Sequence, residues 1–346
     1  MDSTLAAATA ATSLAPDPYP PADQGFVAPL HLLYRPETPE GFLLDATAPA
    51  EQHFVLSAEL PRGHATFNDG PGDFHDLLFV AECLRQATHF AAHQYFRVPA
   101  DRPAVFVSSG LDVLRLAPWR DTGGPAHVSL DITLTPLDVV HGIPRGLDCR
   151  GEVAIEGVAC GSARARLLFL MPKVYESHRA LGRRESLYST SPATPRAAAG
   201  TAGPEPTAVR PGRVGRGRPD NVVVGPPLGA FDGEFVLPVV VAPEHEVFRA
   251  RPGGHVPGPV FLEASRQATL IAAAELHGFE AAHAVLTRWQ VSFRGFGDAD
   301  LPMTCTVAAD DPMRDEAGRP SVRTRLAFGQ GSRVLCTASA TLLQDC

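Results

Sequence analysis

The stretch AECLRQATHFAA, residues 81–92, decides the fold because a second copy of it stands later in the chain. LEASRQATLIAA, residues 262–273, repeats the pattern E-x-x-R-Q-A-T-x-x-A-A at an offset of 181 residues, with seven identities in an eleven-residue window. At the same offset, an H-x-x-F element that begins at His64 recurs at His245. An internal duplication therefore explains the chain better than chance similarity does.

Each copy puts three polar side chains on one face of an otherwise apolar helix. In the first copy these are Glu82, Arg85 and Gln86, whose spacings of three and four residues stack side chains on one helical face. Such a face is either a solvated ion pair or a functional patch. Because the chain repeats it, we favour a functional patch.

The composition indicates a globular protein and argues against several classes. With 346 residues and 45% hydrophobic content, the chain can bury a core. Residues 1–25 have the composition of a disordered tail, and they lack a secretion signal. No apolar run reaches membrane-spanning length, so we expect a cytoplasmic protein without membrane association.

A net charge of −8 argues against nucleic-acid binding. The six cysteines show neither a C-x-x-C pair nor zinc spacing with histidines, so neither a metal site nor a disulfide framework is expected.

Strand-like runs surround each repeated helix and predict an α+β fold. Alternation of apolar and polar residues is clearest over residues 128–134, which is typical of an antiparallel sheet with one covered face. We expect a first repeat at residues 26–175, a linker rich in Pro, Gly and Arg at 176–230, and a second repeat at 231–346.

The loop and helix GGHVPGPVFLEASRQAT, residues 253–269, resemble the signature of β-hydroxyacyl-carrier-protein dehydratases. They are more similar to the A-factor biosynthesis family, which makes γ-butyrolactone signals in actinomycetes. The likeness runs from about residue 26 to residue 343, and it is specific in the paired E-x-x-R-Q helices. It implies a double hot dog fold, in which each repeat is a long central helix wrapped by a curved antiparallel sheet. The chain would then be a monomeric pseudo-dimer that can associate further.

The same resemblance implies an acyltransferase of secondary metabolism. Its donor would be a β-ketoacyl thioester of acyl carrier protein or CoA, and its acceptor a hydroxyl of dihydroxyacetone phosphate or a related small molecule. No cofactor is expected beyond the phosphopantetheine arm that carries the acyl group. Two alternatives stay open: a thioesterase or dehydratase acting on the same thioester, and a non-catalytic protein that binds an acyl chain or a carrier protein.

Ester formation from a thioester requires a base for the acceptor hydroxyl, donors for the oxyanion and a cation for the acceptor phosphate. We expect a site between the repeats with Glu82 as base, Arg266 as phosphate or oxyanion anchor, and Glu263 in support. Apolar surroundings predict a raised pKa for these carboxyl groups. The alternative is a buried lock, in which each Glu pairs with an Arg of the opposite helix.

Further candidates lie around this pair of helices. Arg85 offers a second guanidinium for a phosphate or carboxylate. Backbone N–H groups before the first helix, near Gly72, and at the start of the second, at Gly258, could polarise a thioester carbonyl. His255 matches the H-V-P-G of the family, on the loop where a substrate carbonyl would lie.

The remaining candidates are ambiguous. His64 and its counterpart His245 are either partners of the site or structural histidines. Members of the family carry Asp-His-Pro before Asp-His-Val-Pro-Gly, whereas this chain has Ala250 and Arg251 at the first acid and histidine and Gly254 at the second acid. The missing imidazole counts against dehydration and leaves the acceptor open. Arg251 is either a new charge for a carboxylate or phosphate, or a solvated loop residue.

Overall fold

A computed structural model of the chain describes residues 41–60, 63–188, 209–231, 233–240, 245–249 and 254–345. In these ranges the helices are α1 (Leu77–Gln94), α2 (Pro172–Tyr188) and α3 (Gly258–His277). The strands of the first half are β1 (Leu43–Ala50), β2 (His53–Leu60), β3 (Ala104–Val113), β4 (Ala126–Val140), β5 (Ile143–Ile155) and β6 (Val158–Phe169). Those of the second half are β7 (Gly229–Phe231), β8 (Glu234–Val239), β9 (Ala284–Phe293), β10 (Met303–Ala309), β11 (Met313–Arg314), β12 (Pro320–Gln330) and β13 (Arg333–Gln344).

All these strands belong to one antiparallel sheet, with the order β1-β2-β4-β5-β6-β3-β9-β13-β12-β10-β8-β7 and β11 paired to β12. The two halves meet where β3 pairs with β9, from Ser108 opposite Ser292 to Asp112 opposite Arg288. Each of these strands is the first one after the central helix of its own half. The repeats are therefore joined edge to edge in mirrored strand order.

The central helices α1 and α3 are buried on nearly all sides. Fourteen of the 18 residues of α1 are buried, which is typical of a helix enclosed by a core rather than one lying on a surface. The two helices contact each other, and their apolar side chains belong to one continuous core that includes both halves of the sheet. This arrangement confirms the predicted α+β double hot dog. It also puts the polar face at Glu82 inside the protein.

The stretch between the repeats contains more structure than a linker. Helix α2 extends through residues 172–188, and two short 3-10 turns, Pro211–Val214 and Pro219–Asn221, lead into the second repeat. Val214 is completely buried, and so is nearly all of Asn221. Short turns bury single side chains instead of a stripe, and for this reason the sequence shows no apolar period there.

The repeat boundaries at residues 26, 175 and 231 stay predictions. The predicted tail at residues 1–25 lies outside the described residues. Within the part of the chain that the structure describes, no helix is long and apolar enough to cross a membrane.

Candidate active site

Glu82, Arg85 and Gln86 form a hydrogen-bonded cluster on α1, which we call the first triad. Arg85 donates from Nε and Nη2 to the two carboxylate oxygens of Glu82, over 2.7 and 2.6 Å. Gln86 donates from Nε2 to Oε1 of Glu82 over 2.9 Å, and its own Oε1 accepts the backbone N–H of Phe42 at 2.9 Å. The first triad therefore ties α1 to the segment that leads into β1.

Glu263, Arg266 and Gln267 form the same cluster on α3, the second triad. Arg266 donates to the two carboxylate oxygens of Glu263 over 2.9 and 2.6 Å, and Gln267 donates to the same carboxylate. Oε1 of Gln267 accepts the backbone N–H of Val223 at 2.9 Å, and Val223 stands 181 residues after Phe42. The duplication seen in the sequence thus extends to individual hydrogen bonds.

Both carboxylates are paired with the Arg of their own helix, so the alternative of a lock between opposite helices does not hold. Residues three apart are neighbours on one helical face, and the bidentate fork of Arg closes on the nearest carboxylate. Glu82 is only 2% exposed and Glu263 is fully buried. Each carboxylate therefore holds its Arg in a fixed position.

The second triad differs from the first because it contacts a further cation. Arg216, from the stretch between the repeats, donates to both carboxylate oxygens of Glu263 over 2.8 and 2.7 Å. It also donates to Asp69 over 2.9 Å and forms an ion pair with Asp76 at 2.8 Å. Arg216 is 3% exposed. Its guanidinium therefore bridges carboxylates of both repeats and occupies the space beside the second triad.

Glycines allow the backbone around Arg216 to come this close. A Cβ atom on Gly217 would lie 2.4 Å from the carbonyl oxygen of Asp69, and one on Gly70 would lie 2.3 Å from the carbonyl oxygen of Gly215. Gly215 also has a positive φ of 63°, which favours glycine. The glycines that resemble a flexible tether in the sequence thus serve close packing.

The prediction of a raised pKa is wrong for Glu263. Burial alone would raise the pKa of this carboxyl group, but the charges and hydrogen bonds of Arg216 and Arg266 outweigh burial and lower it to about 2. An ionised carboxylate with this pKa, whose two oxygens are already hydrogen-bonded, is a weak base near neutral pH. Glu263 is therefore suited to structure rather than proton transfer.

A cavity of about 850 Å³ opens beside the first triad. It is lined by Arg85 of α1, by Gly258 at the start of α3 and by His255 on the loop before that helix. Tyr175 and Arg179 of α2 complete the wall. The cavity is thus built from both repeats and from the helix between them. Neither carboxylate of the two triads lines it, and Arg266 does not line it either.

The start of α3 differs from the start of α1. The N-cap residue of α3 is Pro257, which offers no side-chain acceptor. Pro259 has no N–H, and the N–H of Val260 donates to the carbonyl oxygen of Pro257, so of the first three residues of α3 only Gly258 presents an N–H at the cavity wall. At α1 the N-cap is Asp76, whose carboxylate accepts the N–H of Leu78 at 2.9 Å. At α1 the side-chain cap therefore occupies the N–H of Leu78, and Gly72 lies about five residues before the helix begins, whereas Gly258 is the first residue of α3 and lines the cavity.

His255 is held by α2. Its Nδ1 lies 2.7 Å from the hydroxyl oxygen of Tyr175, and both rings make edge contacts with Phe296. The backbone of His255 pairs with Asp298. Tyr175 and Arg179 lie on α2 and were not among the predicted site residues, although Tyr175 ends the run MPKVY, residues 171–175, within the part of the chain that resembles the family.

The histidines of the two H-x-x-F elements are structural. Nδ1 of His64 accepts the N–H groups of Thr66 and Phe67 over 3.0 and 3.1 Å. Nδ1 of His245 accepts those of the equivalent residues in the second repeat over 3.1 and 2.9 Å. Neither histidine lines the cavity. Arg251, with Ala250, lies outside the described residues, and its predicted role stays a prediction.

The described cysteines, which are Cys83, Cys149, Cys160, Cys305 and Cys336, are buried thiols without disulfide bonds. Burial, with a contribution from the neighbouring Glu82, raises the pKa of Cys83 well above its ordinary value, so it is a poor nucleophile. Among the described residues, no group of three His, Cys, Asp or Glu side chains could hold a metal ion.

The fold and the cavity between its halves define the class as a double hot dog protein. A sequence model of the A-factor biosynthesis hotdog domain matches residues 35–171 and 198–344. The chain belongs to this family. Among solved structures, the 12:0-ACP thioesterase from Umbellularia californica is 10% identical, with a TM-score of 0.49 over 83% of this chain and 93% of that one.

Curated relatives carry the name 2-oxo-3-(phosphooxy)propyl 3-oxoalkanoate synthase. The relative from Streptomyces coelicolor is 29% identical over 244 residues, which are 70% of this chain and 71% of the relative. The relative from Streptomyces griseus subsp. griseus is 29% identical over 273 residues, which are 76% of this chain and 79% of the relative. The chain is therefore an enzyme with transferase-type activity.

Proposed function

We propose that this enzyme transfers a β-ketoacyl group from a phosphopantetheine thioester to a hydroxyl of dihydroxyacetone phosphate or a related phosphorylated acceptor. The observation that carries the proposal is the cavity of about 850 Å³, in which Arg85 of one repeat faces the same space as His255 of the other. The names of the curated relatives describe an ester between a 3-oxoalkanoate and a phosphooxypropyl group. They support this choice of donor and acceptor.

In the proposed reaction, the acceptor hydroxyl oxygen attacks the thioester carbonyl carbon, so that a C–O bond forms and the C–S bond breaks. His255 accepts the hydroxyl proton and delivers it to the departing sulfur, and the imidazole ends the cycle in its starting state. The backbone N–H of Gly258, at the start of α3, stabilises the oxyanion of the tetrahedral intermediate. The thiol of the carrier and the new ester are the products.

Arg85 is the anchor for the acceptor phosphate in this proposal, in place of Arg266. A guanidinium suits a phosphate because its planar fork matches two oxygens at once. Glu82 then has a different role from the predicted base: both its oxygens accept hydrogen bonds from the first triad, so it fixes the direction of Arg85. His255 takes over the role of base because it lines the cavity.

The carrier of the acyl group is acyl carrier protein or CoA. Arg102 and Arg294, from opposite repeats, line the same cavity as Arg85. Their charges suit a second phosphate, such as the one that every phosphopantetheine arm carries. We expect no cofactor for the reaction apart from this arm, and acyl transfer requires no redox group because it changes no oxidation state.

The test is to incubate the protein with a β-ketoacyl thioester of carrier protein or of CoA, with and without dihydroxyacetone phosphate. Thiol release is followed with a chromogenic reagent, and the phosphorylated ester is identified by mass spectrometry. We expect thiol release that depends on the acceptor. Release that proceeds equally without the acceptor would indicate a thioesterase, and tight binding of the thioester without any release would indicate an acyl-binding protein.

A further inference from the structure

We infer that Tyr175 is a positioning residue that fixes the imidazole of His255 for the transfer reaction. The inference deepens the proposed function and rests on it for the role of His255. Tyr175 lies outside both segments that match the hotdog domain, in the first turns of α2, 80 residues before His255 in the chain. The helix between the repeats would thus take part in organising the site.

The contact itself is specific. The hydroxyl oxygen of Tyr175 lies 2.7 Å from Nδ1 of His255, which is an ordinary hydrogen-bond distance. Phe296 contacts both rings edge-on, with centroid distances of 5.1 Å to Tyr175 and 5.5 Å to His255. A tyrosine hydroxyl can donate or accept, and in the proposed arrangement Nδ1–H of His255 donates to the hydroxyl oxygen of Tyr175, so that Nε2 keeps its lone pair. Tyr175 would thereby fix the orientation of the ring and leave Nε2 available for proton transfer.

Helix α2 is anchored firmly enough to supply this contact. Arg179 donates to the buried carboxylate of Asp298 over 3.1 Å, and the backbone of Asp298 pairs with that of His255. Arg183 makes a bidentate pair with Asp300, with both distances at 2.6 Å. These ion pairs hold α2 against the same loop that carries the imidazole. The tyrosine hydroxyl and the histidine are therefore positioned by one rigid unit.

The experiment compares Tyr175→Phe with Tyr188→Phe. Tyr188 belongs to the same helix but is 81% exposed, so its substitution is a matched control. We expect Tyr175→Phe to lower kcat by about tenfold, the equivalent of one hydrogen bond, with little change in KM. We also expect a displaced pH profile for kcat, and a Tm within about 4 °C of that of Tyr188→Phe. The control should resemble the unsubstituted enzyme.

A double-mutant cycle separates positioning from a general structural role. If Tyr175 acts through His255, adding Tyr175→Phe to a His255→Asn enzyme should change the residual kcat by less than about twofold. Independent, multiplicative losses would overturn the inference.

Nitrogen NMR of the His255 ring gives a readout that needs no activity. In the unsubstituted protein the ring nitrogens should report one tautomer, and in Tyr175→Phe they should report a mixture. Identical spectra would overturn the inference even if acyl transfer is confirmed. If no acyl transfer is found, the proposed function fails, and the ring spectra still decide whether Tyr175 controls the tautomer of His255.

Discussion

The two triads have the same residues and the same internal hydrogen bonds, but different surroundings. Beside the first triad, Arg85 lines an open cavity. Beside the second, Arg216 enters from the stretch between the repeats and binds Glu263, Asp69 and Asp76. A duplicated motif thus does not create duplicated sites. What packs against each copy decides whether it is a wall of a cavity or part of the core.

The N-termini of α1 and α3 also differ, and only that of α3 carries groups that suit a reaction site. His255 stands before α3, and the residue at the equivalent offset before α1 is Phe74, whose ring lies under the guanidinium of Arg120. Asp76 caps α1 with its side chain, whereas Pro257 leaves the start of α3 without such a cap. The imidazole, the uncapped helix start and the exposed face of Arg85 therefore coincide at one side of the molecule, which favours one reaction site per chain.

The largest expected effect is on the stability of the second triad, where Arg216 occupies the space beside Glu263. Arg216→Met should lower the free energy of unfolding by about 3–5 kcal/mol, because it leaves the buried carboxylates of Asp69, Asp76 and Glu263 without their shared cation. Chemical denaturation followed by circular dichroism measures the change.

A neighbouring arginine provides the control for that substitution. Arg213 pairs with Glu275 on the surface, where both side chains are over 40% exposed, so Arg213→Met should cost no more than about 1 kcal/mol. Equal costs for the two substitutions would mean that Arg216 is not the cation that holds the repeats together.

The second largest effect should be a loss of stability in acid, because Glu263 of the second triad becomes protonated. The pKa of Glu263 is about 2 in the folded protein, against an ordinary value of 4.5. The stabilisation from this group is therefore complete above about pH 4.5 and is lost as the pH falls toward 2, because the unfolded chain binds the proton first. Unfolding titrations between pH 6 and pH 2.5 should show this loss, and Glu263→Gln should lack that part of the slope. An unchanged slope in the variant would contradict the assigned pKa.

Substitution of Arg85 in the first triad, which borders the cavity, should lower turnover rather than stability. Arg85→Gln should lower kcat/KM by roughly 100-fold, since it removes a preorganised charge from the cavity. Arg266→Gln should stay within about threefold per folded molecule, because Arg266 lies beside Arg216 and away from the cavity. The acyl-transfer assay measures both, with the folded fraction determined by circular dichroism. Equal losses would return Arg266 to the reaction site, as the sequence suggested.

The fold was predictable because the sequence patterns that specify it are local and occur in both halves of the chain. The repeated helix at residues 81–92 and 262–273, and the period-two strands, specify a central helix against an antiparallel sheet in each half. The pairing of β3 with β9 was not visible, because no short-range pattern records which edge strands meet. The packing of residues 209–217 was hidden as well, since glycine and proline suggest both a flexible tether and a tightly fitted turn.

The candidate site was predictable only in part. His255, Gly258 and Arg85 were named from the motif, and all three line the cavity. The choice between Arg85 and Arg266 depends on where Arg216 packs, and that contact joins residues far apart in the chain. Tyr175 is 80 residues from His255, so no local spacing connects them. Sequence identifies the chemical groups of this site better than it identifies their neighbours.

The smallest expected effect is the loss of stability on replacing the histidine of either H-x-x-F element, and it should be similar in the two halves. His64→Ala removes the acceptor of two N–H groups, those of the buried residues Thr66 and Phe67, and should lower the free energy of unfolding by about 1–3 kcal/mol. His245→Ala should cost a similar amount, because Nδ1 of His245 accepts two N–H groups in the same way. His127 is exposed on β4, so His127→Ala is a control that should change little. All three variants should keep kcat/KM within about twofold, since none of these histidines lines the cavity. A selective loss of turnover in His64→Ala would make the first H-x-x-F element part of the reaction site and would extend the difference between the halves beyond the triads.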